Sequence, residues 1–440
     1  GDPFMPEIAP ATGKSVAIIG GGPMGLSAAY FLRAKGHDVT IFEAMPKLGG
    51  MLRYGIPEYR LPKAVLDEEI ALIERMGVTM VPNTKVGVDI SFESIRKDYD
   101  AVLIGIGAWK STGVGCKGED ADGVIGGIDF LRKVVRNEEI KLGENVAIVG
   151  GGNTAMDACR TAVRLGAKKV YNIYRRTKDE MPADRIEILE AEEEGVIFKN
   201  LRNPIEVIKD ENGHVKQVLL QVMELGEPDA SGRRSPVPVE GKTETLDIDT
   251  LILAIGQAVD PSGFEGLDLT RKRGIAYDPD TFMTSMEGVF AGGDCGNDKI
   301  SIAVEAIADA KKVSEIIDAY LAGEKVKYEK PYTVERSDVT EKTFEDRERQ
   351  CRPKMDQLEA EERKDNFSEV VFGYNAEQAM ADAARCLECG CHDYFECKLI
   401  DFANQYKVKP ERFAGDVNRI EFEADHPFII RDTNKCIICG

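Results

Sequence analysis

VAIIGGGPMG, residues 16–25, decides how the chain is read. Its first four residues, Val16 to Ile19, are an apolar run suited to a strand buried on both faces of a parallel sheet. The run enters Gly20, Gly22 and Gly25, spaced G-x-G-x-x-G, with Pro23 between the last two. Gly20 makes the tight turn, Gly22 lets backbone approach a pyrophosphate, and Gly25 lets the next helix pack close to the strand. That helix runs from Leu26 to its stop at Gly36, and its N-terminal N–H groups face the anion. A second strand, Asp38 to Glu43, ends in an acid placed to accept both hydroxyls of an adenosine ribose. The glycine triplet alone is weak; strand, helix, strand and terminal acid in that order are specific.

Composition bounds what such a pocket can serve. A chain of 440 residues has room for two or three domains with sizeable cores. Its net charge of -20 argues against non-specific nucleic-acid binding, because a phosphate polymer is repelled. No apolar run approaches bilayer-spanning length and no signal peptide precedes Val16, so a cytoplasmic protein without membrane insertion is expected. GDPFM, residues 1–5, is set aside as a scar ahead of the fold. Of ten cysteines, six (Cys386, Cys389, Cys391, Cys397, Cys436 and Cys439) crowd the end of the chain, which points to metal or cluster ligation rather than disulfides. Cys116, Cys159, Cys295 and Cys351 are scattered and read as packing or surface residues.

Past Glu43, residues 45–63 (MPKLGGMLRYGIPEYRLPK) form a loop punctuated by glycine and proline. Gly49 and Gly50 suit close approach to a ligand, Leu52 lies beside them, and Arg53 and Arg60 are placed to neutralise phosphate. A solvated surface loop is the plainer alternative. No cysteine pair occurs here, so electrons do not leave through a redox disulfide at this point. Leu61 to Gly77 reads as an amphipathic helix, Val78 to Gly87 as a strand that brings Val86 to the pocket, and Phe92 to Tyr99 as a short helix. Asp100 to Ala108 is a buried strand with a glycine exit, and Gly113 to Gly127 is the crossing to a second domain.

That domain repeats the opening theme. NVAIVGGG, residues 145–152, leads into a helix from Asn153 to Gly166, giving Gly150, Gly152 and Ala155 as G-x-G-x-x-A with Asn153 and Thr154 at the turn. Its second strand, from Lys169, ends in Arg175 and Arg176 instead of an acid. Paired guanidiniums there are what a 2′-phosphate requires, so this half is expected to prefer NADPH. Two solvated arginines are the alternative.

Val196 to Gly256 reads as short alternating strands broken by polar turns at Asp210 to Gly213 and Gly226 to Arg234. TLILAIG, residues 250–256, is a second glycine exit. MEGVFAGGD, residues 286–294, returns to the first domain, where Gly293 and Asp294 fit a carboxylate held against a flavin ribityl chain. Ser301 leads a helix from Ile302 to Leu321, with Ala303 in the turn that aims its dipole at a reduced isoalloxazine. Residues 324–380 are highly charged and read as exposed connectors without chemistry. The expected fold is α/β: two Rossmann-like dinucleotide-binding domains, the NADPH domain (113–270) inserted in a discontinuous FAD domain (14–112 and 271–325). A charged connector and cysteine-rich tail (326–440) follow.

In the tail, RCLECGCHDYFECK (385–398) spaces Cys386, Cys389, Cys391 and Cys397 as CxxCxCx5C. Four thiolates this close suit an iron-sulfur cube of the 4Fe-4S kind. Zinc, which usually takes two separated ligand pairs, and unliganded thiols are the alternatives. KCIICG, residues 435–440, opens a ferredoxin-type run, so Cys436 and Cys439 read as part of a second site whose other ligands lie elsewhere.

GGGPMGLSAAYFLRAKGHDVTIFE, LGGMLRYGIPEYRLPK, VGGGNTAMDACRTAVRLG with YRRTKDEMPA, and GVFAGGDC ahead of AVEAIADAKK together resemble the small (beta) subunit of NADPH-dependent glutamate synthase and related two-dinucleotide flavoproteins. The resemblance spans Ser15 to Gly323. It implies FAD and NADPH as cofactors and hydride passing from nicotinamide C4 to flavin N5. Family members commonly carry the cysteine-rich domain ahead of the flavin domain; here the cysteines follow it, which favours a paralogue serving a different partner. The expected activity is NADPH oxidation through FAD, with single electrons passed to iron-sulfur centres and a partner subunit or ferredoxin-like domain. The rivals are a flavin oxidase or monooxygenase, which leaves the cysteines unexplained, and a non-catalytic assembly subunit. No acid-base residue is required of the protein, because the cofactors hold the chemistry.

Overall fold

Val16, Ala17 and Ile18 are wholly buried because parallel strands flank them and helices cover both faces of their sheet. The computed structural model describes residues 4–229, 232–296, 298, 300–333, 339–390, 396–409, 423–426 and 429–431. The chain opens with β1 (Ser15–Ile19), α1 (Pro23–Ala34), β2 (Asp38–Phe42), α2 (Gly50–Tyr54), α3 (Lys63–Arg75), β3 (Thr79–Val81), α4 (Phe92–Asp98) and β4 (Ala101–Ile104). It passes through β5 (Lys110–Ser111) into β6 (Val124–Gly126), α5 (Gly127–Val135), β7 (Asn145–Val149), α6 (Asn153–Arg164), β8 (Lys169–Tyr174), α7 (Arg185–Glu193) and β9 (Ile197–Asn200). Then come β10 (Arg202–Lys209), β11 (Val215–Pro228), β12 (Arg234–Asp247), β13 (Thr250–Leu253), β14 (Gln257–Ala258), β15 (Val289–Ala291) and α8 (Ala303–Leu321).

Two parallel five-stranded sheets share one plan. The first has the order β15-β4-β1-β2-β3 and the second β6-β13-β7-β8-β9. In each, the strand before the glycine turn is central and the strand after the first helix lies beside it, with Ile19 opposite Phe42 and Val149 opposite Ile173. The second sheet lies wholly between β4 and β15 in sequence. The chain crosses between the halves twice, and the crossings pair as β5 and β14, Ser111 opposite Gln257.

The alternation along each central strand builds two cores per sheet. Val16 and Ile18 pack with Leu32 of α1 and Val313 and Ile317 of α8, while Ala17 and Ile19 pack with Phe92, Ile95 and Phe264 on the other face. In the second half, Val146 and Ile148 meet Met156 and Ala162 of α6; Ala147 and Val149 meet Val218 and Leu220 of the antiparallel sheet β10-β11-β12. The two-Rossmann α/β expectation therefore holds.

Three local expectations do not. The strand expected over 78–87 is short: β3 ends at Val81, and Val86 forms only an isolated bridge with Ile90. The strands expected to be short before Thr250 include β11 and β12, each 14 residues, because their cross-strand pairing continues past Gly226. The charged connector is not uniformly exposed. Residues 354–375 belong to the same compact unit as residues 1–328, and Arg363, at the end of α9 (Ala360–Arg363), is buried by ion pairs.

Residues 329–353 and 376–440 form the second unit, with α10 (Ala376–Ala384), α11 (Lys398–Gln405) and the paired strands β16 (Glu423–His426) and β17 (Ile429–Arg431). Inside it, Arg347 donates to the Cys386 carbonyl at 3.2 Å and Arg385 Nε to the Gln350 carbonyl at 3.1 Å.

Candidate active site

A cavity of about 630 Å³ is walled by both halves of the first unit. Gly20, Gly22, Pro23, Glu43, Gly50, Leu52, Arg60 and Val86 line one part, Asp294 and Ala303 a second, and Asn153, Thr154 and Asp157 of α6 a third. The glycines show why the opening motif is needed. A Cβ on Gly20 would stand 2.5 Å from the Gly105 carbonyl oxygen, and one on Gly25 1.9 Å from that of Gly20. Gly22 is different: its nearest neighbour would be the Gly50 Cα at 3.7 Å, which leaves the first turn of α1 open to a ligand. No side chain caps α1 at Gly22, so its leading N–H groups face that opening. Gly49 and Gly50 both have positive φ, and a Cβ on Gly50 would press the Gly22 Cα at 2.6 Å.

Glu43 is buried at the end of β2. One carboxylate oxygen accepts the Gly21 amide and the other the Met45 amide, each at 2.7 Å. Burial pushes its carboxyl above the ordinary range and the amides oppose that shift. Glu43 also lines the cavity, and each carboxylate oxygen has acceptor capacity beyond its amide, as a sugar diol needs. Asp294, at the far wall, accepts the Ser301 amide at 3.0 Å, and α8 also begins without a side-chain cap.

The loop arginines do different work from the phosphate neutralisation read from sequence. Arg53 is buried, with Nε on the Leu48 carbonyl at 2.5 Å and its guanidinium paired with Asp67. Arg60 lines the cavity, but its Nη1 is on Asp157 at 2.9 Å and its Nε on Glu187 at 2.8 Å. Both charges are neutralised by carboxylates before any phosphate arrives; Arg60 instead joins the flavin-side loop to α6 and α7.

The second motif repeats the first with one methyl added. Gly150 has φ 148°, and its Cβ would meet the Ala254 carbonyl oxygen at 2.2 Å. Ala155 is wholly buried where the first half has Gly25, and a Cβ on Gly152 would meet nothing within 4 Å. Asn153 Oδ1 accepts the Asp184 amide at 2.9 Å, fixing the turn into α7. The two arginines part company. Arg175 is exposed and has no ion pair among the described residues, whereas Arg176 is buried, with Nε on the Arg234 carbonyl at 2.7 Å and Nη2 on Asp229 at 2.7 Å. The pair expected at the ribose is therefore one exposed charge and one structural anchor.

Residues 14–310 match the model of the pyridine nucleotide-disulphide oxidoreductases. The chain belongs to that family. It is 45% identical over 388 residues to the NADP(+)-dependent formate dehydrogenase subunit beta of Moorella thermoacetica, covering 86% of this chain and 55% of that one. It is 38% identical over 328 residues to the glutamate synthase [NADPH] small chain of Halomonas elongata, covering 70% of this chain and 68% of that one. The chain thus spans little more than half of the first relative. FprA of Mycobacterium tuberculosis in complex with NADPH shares the fold, with a TM-score of 0.61 at 19% identity over 72% of this chain and 85% of that one.

Sequence reading missed Trp109, Gln257 and Asp157 on the cavity wall of this oxidoreductase. Trp109 and Gln257 sit on the two crossings, whose pairing no local pattern announces. Asp157 could have been found, since it lies one helical turn beyond Asn153 on the face of α6 that meets the cavity. Burial pushes its carboxyl up to about 7 against the opposing pull of Arg60. Lys63, whose ammonium donates to the Leu52, Ile56 and Leu61 carbonyls, is pushed down to about 8 by burial. In the second unit Cys386 and Cys389 are exposed and Cys397 is half-buried at the start of α11. Cys391, Cys436 and Cys439 lie outside the described residues. Among the described residues no three His, Cys, Asp or Glu side chains gather as a metal site, and no helix is long and apolar enough to cross a membrane.

Proposed function

We propose that the chain oxidises NADPH through FAD and passes the electrons singly to iron-sulfur centres and a partner subunit. The observation that carries this is the single cavity whose wall is shared by Gly22, Gly50 and Glu43 of one half and Asn153, Thr154 and Asp157 of the other. Bound there, FAD supplies a two-electron hydride acceptor that can give up its electrons one at a time. The protein's part is to bind, orient and exclude water. Glu43 accepts the ribose hydroxyls, the open turn at Gly22 and the N-terminus of α1 take the pyrophosphate, and Asp294 takes the ribityl chain. The start of α8 favours negative charge on the ring system.

In the second half, Gly150 and Gly152 open the turn, the N-terminus of α6 receives the NADPH pyrophosphate, and Arg175 supplies the charge for the 2′-phosphate. Asn153 and Thr154 then lie where the nicotinamide enters the shared cavity. The division is into a flavin domain (14–112 and 271–325), an NADPH domain (113–270), and a cysteine-bearing region whose Cys386, Cys389, Cys391 and Cys397 hold the cluster. Cys436 and Cys439 contribute to a second one. Names such as subunit beta and small chain, carried by the relatives, support a partner subunit, and the cytoplasm is the compartment this chemistry suits.

Anaerobic titration with NADPH tests the reading. Full bleaching of an FAD spectrum with little oxygen uptake in air supports it. An FAD spectrum that NADPH leaves untouched points to an assembly role, and rapid oxygen consumption without a partner points to an oxidase.

A further inference from the structure

A charge cluster on α6 reaches the cavity wall through Asp157 and Arg60, and its other members have no part in the steps above. On α6, Asp157, Arg160 and Arg164 recur at helical spacing; on α7 and just past its end, Glu187, Glu190 and Glu194 do the same. The stripes interlock. Arg160 reaches Glu187 at 2.5 Å, Glu190 at 2.7 Å and Glu194 at 2.8 Å, and Arg164 reaches Glu194 at 2.5 Å. The flavin-side loop enters the same cluster. The guanidiniums of Arg164 and Arg160 stand 3.9 and 4.9 Å from the Tyr59 ring centre, and Arg60 holds Asp157 and Glu187 as above.

Residues 354–375 close the cluster from a third side. Arg363, 1% exposed, places Nε on Glu194 at 3.0 Å and pairs with Glu193. The same segment is tied to the flavin half: the Val370 amide donates to the Tyr59 carbonyl at 3.0 Å, and the Phe367 ring lies 6.3 Å from that of Tyr59. Arg363 Nη1 on the Leu358 carbonyl, and the Leu358 amide on the Val370 carbonyl, fold the segment back on itself.

Buried charges of this kind add little net stability, but stranding one of them is costly. Here the partners come from three separate stretches of chain, so any slide of α6 against the 57–60 loop strands several at once. We infer that residues 354–375 are an interdomain strap and that Arg363 is a positioning residue for hydride transfer. Through Glu194 and Arg160 it holds α6, and with it Asn153, Thr154 and Asp157, in register with the flavin-side wall of the cavity. The inference rests on the function proposed above, and its test separates the two.

Arg363→Met and Arg363→Lys are made in the full chain carrying FAD. With saturating NADPH under anaerobic conditions, the limiting rate of flavin reduction falls about 10-fold or more in the Met variant, since small misalignments cost that much. The dissociation constant for NADPH changes less than the rate does, and the Lys variant recovers most of it. Without FAD, Trp109, the only tryptophan in the chain and part of the cavity wall, becomes more accessible to acrylamide quenching in the Met variant. A folded Met variant with unchanged rate and quenching overturns the strap. Hydrogen exchange on the wild type needs no variant: the Val370 and Leu358 amides exchange as slowly as those of α6, and exchange at exposed-loop rates overturns the inference. If quenching and exchange behave as stated while NADPH fails to reduce the flavin, the functional reading fails and the strap stands.

Discussion

The two Rossmann-like halves are built on one plan and differ at two positions, the residue after the second strand and the third small residue of the glycine turn. In the first, β2 is followed by Glu43, buried and held by two amides at 2.7 Å. In the second, β8 is followed by Arg175, exposed and without an ion pair among the described residues, and by Arg176, which is anchored to Asp229. On the function proposed above, the ligands account for the contrast. A neutral diol offers only short, directional hydrogen bonds, so its acceptor has to be in place beforehand. A phosphate dianion is attracted over a longer range, so one mobile guanidinium suffices. The first half also packs α1 against β1 through a glycine, whereas the second keeps a buried methyl at Ala155.

The sharpest way to break the comparison is Gly25→Val. A Cβ there would stand 1.9 Å from the Gly20 carbonyl oxygen, so α1 has to lift from β1. Destabilisation of about 4 kcal/mol or more is expected, with loss of bound flavin. Flavin-to-protein ratio and the unfolding midpoint measure it, and a variant that purifies yellow with normal stability contradicts the close-packing role. Arg175→Ala comes next. It raises the dissociation constant for NADPH roughly 10- to 100-fold, the value of a charge-assisted contact, and leaves that for NADH nearly unchanged. Arg176→Ala, by contrast, weakens both alike, because it removes the contacts that hold Asp229 and the Arg234 carbonyl against β8. Equal, NADPH-selective losses at both arginines would restore the paired reading.

How far the sequence carried follows from the range of each signal. The glycine turns, Glu43 and the sheet plan were readable because a strand, a turn and a helix within about thirty residues determine them. Arg60, Arg176 and Arg363 were misread for one shared reason. A charged side chain reads as solvated or ligand-facing until its counter-ion is known, and theirs (Asp157 with Glu187, Asp229, and Glu194) come from distant stretches of chain. The length of β11 and β12 was hidden in the same way, since polar residues on a half-exposed ribbon look like turns.

The halves meet at Asp157, and that meeting has a pH signature. Its carboxyl sits at about 7 in the folded chain and at about 4 when unfolded. Between those values the folded state keeps a proton that the unfolded state has lost, so stability falls as pH rises through that window and levels off above it. The slope from this group is at most about 1.4 kcal/mol per pH unit. Arg60, Arg160, Glu187 and Tyr59 face the group, and Arg60 limits the shift. Asp157→Asn flattens the dependence of the unfolding midpoint between pH 4 and 7. An unchanged profile places the titration elsewhere.

The smallest effect is expected from making the second half more like the first. Ala155→Gly removes a buried methyl and adds backbone freedom at the start of α6, together costing about 1 to 2 kcal/mol. It creates no clash, because it only removes atoms. The turn at Gly152 stays open, so NADPH affinity should hold within about twofold while the unfolding midpoint falls. If affinity instead drops with stability, the methyl is setting the height of α6 above its strand, and the spacing of that helix, more than the glycine turn, fixes where the pyrophosphate sits. The matching change in the flavin half, Gly25→Ala, has no such latitude, since a single methyl there already overlaps the backbone of Gly20.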